Sequence, residues 1–336
     1  MKYFVSGATG FIGGRLVRQL LAGGDQVVAL ARATWKANDL TNLGVTVHQG
    51  DITDKESLRA GMRGVDGVFH LAAWYQIGAR DSSMAERVNV DGTRNMLELM
   101  KELAIPRGVY TSSLAVFSDT RGREVDETYR HDGPWLSEYD RTKWLAHYAV
   151  AEPMMRDGLP LRIVLPGIVY GPGDASPMSY LLNRYMQRRL PAVPRGTAFC
   201  WGYVDDVVRG HIQAMERGRN GESYIIAGPA HTLRQALEIA QRVTGIPVPT
   251  MRPFPWMMKA MAALMGVVGL VVPLTRSYRR ESLRVIAGST YLGSSEKARR
   301  ELGFLPRSLE QGFRATLIPE MKRLGIQPPP GVAAAQ

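Results

Sequence analysis

The stretch Val5-Ser-Gly-Ala-Thr-Gly-Phe-Ile-Gly13 decides the fold. A short apolar run from Tyr3 to Val5 leads into it, and an amphipathic run carrying Phe11, Ile12, Leu16, Val17, Leu20 and Leu21 leads out. Strand, glycine turn and helix in that order form a cradle for phosphate. Gly7 lets the chain turn sharply, Gly10 lets backbone N–H groups approach a pyrophosphate, and Gly13 lets helix and strand pack closely. The helix N-terminus adds partial positive charge. Gly7, Thr9, Gly10, Phe11, Ile12 and Gly13 are therefore the expected contacts to a dinucleotide, although the glycine spacing is G-x-x-G-x-x-G rather than G-x-G-x-x-G.

Outward from the turn, Gln26 to Ala31 reads as a second strand that ends at Arg32, about 20 residues beyond the glycines, where the adenosine ribose is met. An acidic residue there would accept from a free 2′-hydroxyl, whereas a guanidinium can pair with a 2′-phosphate. Arg32, reinforced by Lys36, makes NADP(H) the preferred cofactor and NAD(H) the alternative. Val45 to Ile52 alternates as a third strand. A helix is expected from Asp54 to Met62, with Thr53 as N-cap and Glu56 at the capping-box position. Gly67 to Ala73 is the fourth strand; Leu71, Ala72 and Ala73 would let the cofactor lie against backbone. His70 reads as a buried structural histidine. Asn89 to Asn95 opens a helix to about Leu103, with Asn89 either ordering backbone near the site or capping the helix. Gly108 to Ser113 is the fifth strand.

Tyr139-Asp-Arg-Thr-Lys143 places a phenol and an amine four residues apart, on one face of a helix. Free tyrosine titrates near 10, so a nearby ammonium would be needed to favour the phenolate. Tyr139 is expected to exchange a proton with a substrate oxygen, Ser113 to hydrogen-bond that oxygen, and Lys143 both to tune Tyr139 and to hold the nicotinamide ribose. Asp205 and Asp206 read as structural residues that start and pin a helix.

The glycine spacing, Asn89-Val-Asp-Gly-Thr-Arg-Asn95, Ser113-Leu-Ala-Val-Phe117, Tyr139 with Lys143, Pro166-Gly-Ile-Val-Tyr-Gly-Pro172 and Val204-Asp-Asp-Val207 together resemble the extended short-chain dehydrogenases/reductases. Within them, the chain is similar to the NAD(P)-dependent epimerase/dehydratase group and its dihydroflavonol-reductase-like and hydroxysteroid-dehydrogenase-like members. That resemblance implies an α/β fold, a Rossmann-type doubly wound parallel sheet with a smaller, mostly helical C-terminal substrate lobe. The expected division is a dinucleotide-binding part at 1–170 with 199–228, a substrate lobe at 171–198 with 229–326, and a flexible tail at 327–336. It also implies that Asp51 meets the adenine amino group, that Ile52 lies against the ring, and that backbone at Pro166, Ile168 and Val169 meets the nicotinamide carboxamide. The match after Ser113 selects it as the catalytic serine and leaves Ser112 as a cofactor contact and fallback. Two departures stand out: Leu165 where the family often has arginine, and Ala29 where its reductases often have a basic residue.

The lobe segments are rich in Met178, Met186, Trp201, Met251, Trp256, Met257 and Met258, and Trp74 and Tyr75 follow strand four. Such side chains suit a bulky apolar substrate, with Trp74, Tyr75 and Met178 as candidate contacts. Ala260 to Leu274 carries no charge. At about 20 residues for a spanning helix it is too short, so a buried helix over the substrate is the first expectation and an interfacial segment touching a membrane surface the second. The net charge of +11 is scattered, not concentrated in a basic run interleaved with aromatics, which argues against a nucleic-acid partner. A lone cysteine, Cys200, and no Cys/His cluster argue against disulfides and a metal site. Without a leader-like start, the expected location is cytoplasmic, peripheral to the membrane if the 260–274 run touches one. Helices flanking such sheets often pair two copies, so a homodimer is an option. Three functions follow in order: an NADP(H)-dependent oxidoreductase acting on an apolar small molecule, a nucleotide-sugar epimerase or dehydratase retaining NAD, and a non-catalytic cofactor-sensing or membrane-associated binding protein.

Overall fold

The computed structural model describes residues 1–269 and 279–327, the side chain of Lys36 excepted. Eleven strands are found in it: β1 (Lys2–Ser6), β2 (Gln26–Ala31), β3 (Thr46–Gln49), β4 (Gly67–His70), β5 (Gly108–Thr111), β6 (Leu161–Leu165), β7 (Ile168–Tyr170), β8 (Ala198–Tyr203), β9 (Ser223–Ile225), β10 (Ala230–Thr232) and β11 (Thr290–Tyr291). Seven form one parallel sheet in the order β3-β2-β1-β4-β5-β6-β9. The strand order turns back between β1 and β4, where Ser6 pairs in register with His70. At such a switch point the loops diverge and leave a crevice at the strand ends.

Helices cover both faces, as a sheet of apolar parallel strands requires. One layer is packed by the helices Glu56–Met62, Gly92–Glu102 and the long run from Glu138 to Arg156. Phe11–Ala22, Val204–Arg217 and Glu296–Leu302 pack the other. A second, smaller sheet sets β8 between β10 and β11, with β7 also pairing to β8. The helices Pro177–Met186, Leu233–Thr244 and Leu309–Arg323 close a separate core around it. Thus β7 and β8, grouped by sequence with the dinucleotide-binding part, pair with strands of the covering lobe.

Several local expectations change. Strand pairing stops at Gln49, His70 and Thr111, so Gly50–Ile52, Leu71–Ala73 and Ser112–Ser113 are exit segments at the crevice, not ends of strands. Helix formation begins at Ser83, passes through a π-helical turn at Arg87–Asp91 and continues as Gly92–Glu102, which makes Asn89 an interior residue. Thr53 does not cap the next helix: its hydroxyl donates to Asp51 Oδ1 at 2.9 Å, and Glu56 pairs with Arg59 instead of reaching back. The helix Pro255–Val268 buries only Met258 and Ala262, so it is not the buried cover expected of the apolar run; residues 270–274 of that run lie outside the described residues, as does the tail from 328.

Candidate active site

The glycine turn is held by contacts that exclude any side chain. Gly7 has φ +73°, and a Cβ there would stand 2.7 Å from the Ala72 nitrogen; a Cβ on Gly13 would strike the Gly7 carbonyl oxygen. Thr9 and Gly10 are exposed, Phe11 and Ile12 are half-buried, and Gly10 caps the helix without a side-chain partner or an acidic residue in the first turn. The first N–H groups of the helix are thus left for an anion. Arg32 is exposed directly after β2. At the end of β3, Asp51 Oδ1 accepts from the Thr53 N–H and hydroxyl, and Ile52 is buried against Gly92.

Across the switch point, a chain of hydrogen bonds ties this turn to the helix that carries Lys143. The Thr93 hydroxyl donates to the Asn89 carbonyl at 2.6 Å, so His70 Nε2 donates to Thr93 Oγ1 at 3.1 Å. That assigns the tautomer and leaves His70 Nδ1 to accept from the Ser6 hydroxyl at 2.7 Å. Ser6 Oγ in turn accepts the Ala72 N–H at 3.3 Å. Burial, aided by the Lys143 charge, pushes the His70 pKa down to about 3, so it stays neutral. His70 also stacks on Tyr110, whose hydroxyl accepts from Lys143 Nζ at 3.1 Å.

Lys143 is 2% exposed and donates as well to the Thr111 carbonyl at 2.8 Å. Neither acceptor carries a charge. Burial accordingly pushes its pKa down to about 7. Four residues earlier, Tyr139 is shifted well above the ordinary phenol value, first by burial and next by Tyr75, while a hydrogen bond from Ser113 acts in the opposite sense. The expectation that Lys143 lowers the phenol pKa therefore does not describe the chain alone, because a buried amine without a carboxylate is itself driven towards neutrality.

Consecutive serines after β5 face opposite ways. Ser112 is buried and hydrogen-bonds His147 Nδ1 at 2.8 Å. Ser113 is half-buried, accepts the Ala115 N–H at 3.1 Å and faces Tyr139. Pro166 accepts the Leu114 N–H at 2.9 Å, which holds this segment, while Ile168 and Val169 lie on β7 and are half-buried. Of three supports, the sequence reading offered Asn89 as one that orders backbone near the site and missed the other two. Asn89 grips the Trp74 backbone in both directions, at 2.7 and 3.1 Å, and donates to Thr142 at 2.9 Å. Glu281 accepts the N–H groups of Gly78 and Glu138, each at 2.5 Å. Asp140, next to Tyr139 and 1% exposed, collects hydroxyls from Ser118, Ser137 and Tyr291 at 3.0, 2.7 and 3.0 Å; burial raises its pKa to about 6. Of the two missed, only Asp140 had a sequence signal, its place beside Tyr139.

On the substrate side, the Tyr75 and Tyr139 rings meet edge to face at 4.8 Å between centroids, and Trp74, the preceding residue in the chain, is half-buried. Met178, a candidate substrate contact, is buried in the lobe core with Leu182 and Met186. The methionine and tryptophan pocket is likewise dispersed: Trp201 and Met258 are buried in cores, whereas Met251, Trp256 and Met257 are exposed. Composition cannot tell which face of an element an apolar residue occupies. Asp206 is buried and takes the Arg307 backbone and guanidinium at 2.9 to 3.0 Å, and Asp205 pairs with Arg15 at 2.7 Å.

Residues 3–227 match the model of the NAD dependent epimerase/dehydratase family. A Synechocystis sp. protein provisionally named dihydroflavonol 4-reductase is 34% identical over 93% of this chain and 92% of its own length. Sterol demethylase protein B of Methylococcus capsulatus is 32% identical over 93% and 96%. The crystal structure of gox2253 superposes with a TM-score of 0.82 at 27% identity, covering 97% of this chain and 99% of that one. With the parallel sheet, the glycine turn and the matched span in agreement, the chain belongs to the NAD-dependent epimerase/dehydratase family of extended short-chain dehydrogenases/reductases and is an NAD(P)-dependent enzyme.

Proposed function

We propose that the protein is an NADP(H)-dependent oxidoreductase acting on a carbonyl/alcohol pair of a largely apolar small molecule. The observation that carries this reading is the convergence of Ser113, Tyr139 and Lys143 at the end of β5, on the far side of the switch point from the glycine turn. The turn fits a dinucleotide because its backbone leaves room for no Cβ at Gly7 or Gly13 and its helix N-terminus has no cap of its own. When bound, NADP(H) supplies or receives the hydride. The remaining work falls to the chain.

N–H groups from Gly10 to Gly13 would hold the pyrophosphate, and Arg32 would pair with the 2′-phosphate. Lys143 would donate to the ribose hydroxyls and so help to orient the cofactor. Ser113 hydrogen-bonds the substrate oxygen. Tyr139, held protonated by burial, donates its proton to that oxygen in reduction and takes one back in oxidation. Tyr75 presents aromatic surface beside Tyr139, with Trp74 next to it in the chain, and the lobe built on β7, β8, β10 and β11 would cover the cleft. The relative named for sterol demethylation and the one named for a dihydroflavonol support a multi-ring, weakly polar substrate.

The test is consumption of NADPH with a panel of apolar ketones and aldehydes, for the native protein and Tyr139→Phe. Turnover should fall by about 10²- to 10⁴-fold in the variant while NADPH still binds. Equal turnover in the two proteins, or stoichiometric NAD released when the native protein is denatured, would overturn the reading, the latter in favour of a nucleotide-sugar epimerase.

A further inference from the structure

We propose that residues Met251 to Val267 form a docking surface for an anionic lipid bilayer. The helix Pro255–Val268 is apolar all round, apart from Lys259. Helices of that composition are ordinarily enclosed by protein or by lipid. This one is enclosed on one side only. Met258 and Ala262, with Met261 and Met265, pack on Leu283, Ala287 and Ile286. Trp256, Leu264 and Val267 on the opposite face are 68%, 59% and 65% exposed, and Met251, Phe254 and Met257 extend the patch. Six of the twelve large apolar side chains that the described residues expose thus fall within one short stretch.

Charge decides what covers it. No acidic residue occurs between Glu238 and Glu281, while Arg252, Lys259 and Arg280 all do. Arg195 joins them from outside the stretch by stacking on Phe254 at 4.0 Å. The first acid after the patch, Glu281, is turned inward onto the Gly78 and Glu138 amides. A second copy of the chain would bring the same cations face to face with these, whereas an anionic bilayer complements them. Fourteen residues make a helix of about 21 Å, short of the roughly 30 Å hydrocarbon core, so the helix lies in the interface and does not cross it. Lys259, on the exposed face, can extend to the headgroups along its own stem.

The surface adjoins the active site. Its inner face rests on the helix Arg280–Val285, and there Glu281 and Arg279 hold the N–H and carbonyl of Gly78, at 2.5 and 2.7 Å. Gly78 ends the loop that carries Tyr75, whose ring meets that of Tyr139. Docking would therefore set the substrate entrance against the bilayer. That role deepens the apolar-substrate reading and rests on it; the docking surface itself rests on the exposed helix and its charge.

The full chain should be mixed with vesicles of phosphatidylcholine alone and of phosphatidylcholine with phosphatidylglycerol, and the bound fraction measured by flotation. Binding is expected to the mixed vesicles and to weaken as salt is raised. Trp256→Ser combined with Leu264→Ser, and separately Arg252→Glu combined with Lys259→Glu, should each lower the partition coefficient at least tenfold. Both variants should keep native turnover of a water-soluble ketone, which separates this proposal from the reductase reading. No binding to either vesicle, undiminished binding by both variants, or a dimer that the serine variant splits without any vesicle binding would each overturn it.

Discussion

Replacing Lys143 by methionine should stabilise the protein at low pH and destabilise it at high pH. The buried amine of Lys143 has its pKa depressed from the ordinary 10.5 to about 7 by burial alone. Between those values the unfolded chain binds a proton that the folded chain does not, so native stability rises as pH rises through that window. At about 1.4 kcal/mol per pH unit, the whole span is worth about 5 kcal/mol, fully lost below pH 7. Methionine has no charge to desolvate, but it leaves the Thr111 carbonyl without its 2.8 Å donor, at a cost of about 1–3 kcal/mol at every pH. The variant should therefore be more stable than the native protein by about 2–4 kcal/mol near pH 6 and less stable by about 1–3 kcal/mol near pH 11. Urea unfolding of both proteins across that range is the assay, and the difference between the two curves isolates Lys143 because all other titrating groups are shared. A difference that does not change with pH would refute the account of Lys143 as an uncompensated buried cation. The variant should also lose turnover, since a residue kept at such a cost is expected to serve function.

Two further substitutions test the site. Ser113→Ala should lower kcat by about 10²- to 10³-fold with little change in stability, whereas Ser112→Ala should spare kcat and cost about 1–3 kcal/mol by leaving His147 Nδ1 without its 2.8 Å partner; urea melts and steady-state rates together distinguish the two serines, and the reverse pattern would exchange their roles. Arg32→Glu should weaken NADPH binding by about ten- to a hundredfold and favour NADH, read by parallel calorimetric titrations; unchanged preference would remove Arg32 from cofactor selection.

Much of this protein follows from short-range pattern. Gly7, Gly10 and Gly13 specify a turn that only glycine can make, and the apolar runs at 3–5, 26–31 and 161–165 specify buried parallel strands, because backbone sterics and hydrophobic periodicity are local properties. Tyr139 and Lys143 share a helix face by virtue of their spacing alone. The tertiary structure decided what depends on which distant groups meet. His70 is neutral because it is buried near the Lys143 charge, and Ser6 and Thr93, 64 positions earlier and 23 later in the chain, fix its tautomer. Lys143 is depressed because its acceptors, Tyr110 and Thr111, bear no charge. Glu281 reaches Gly78 and Glu138 across 203 and 143 positions, a contact that no periodicity announces. The side of each apolar residue was also decided there: Met178 faces the lobe core and Trp256 faces solvent, although hydropathy ranks both simply as large and apolar. Burial and desolvation are properties of the packed assembly, and they set the charge states on which the chemistry of Ser113, Tyr139 and Lys143 depends.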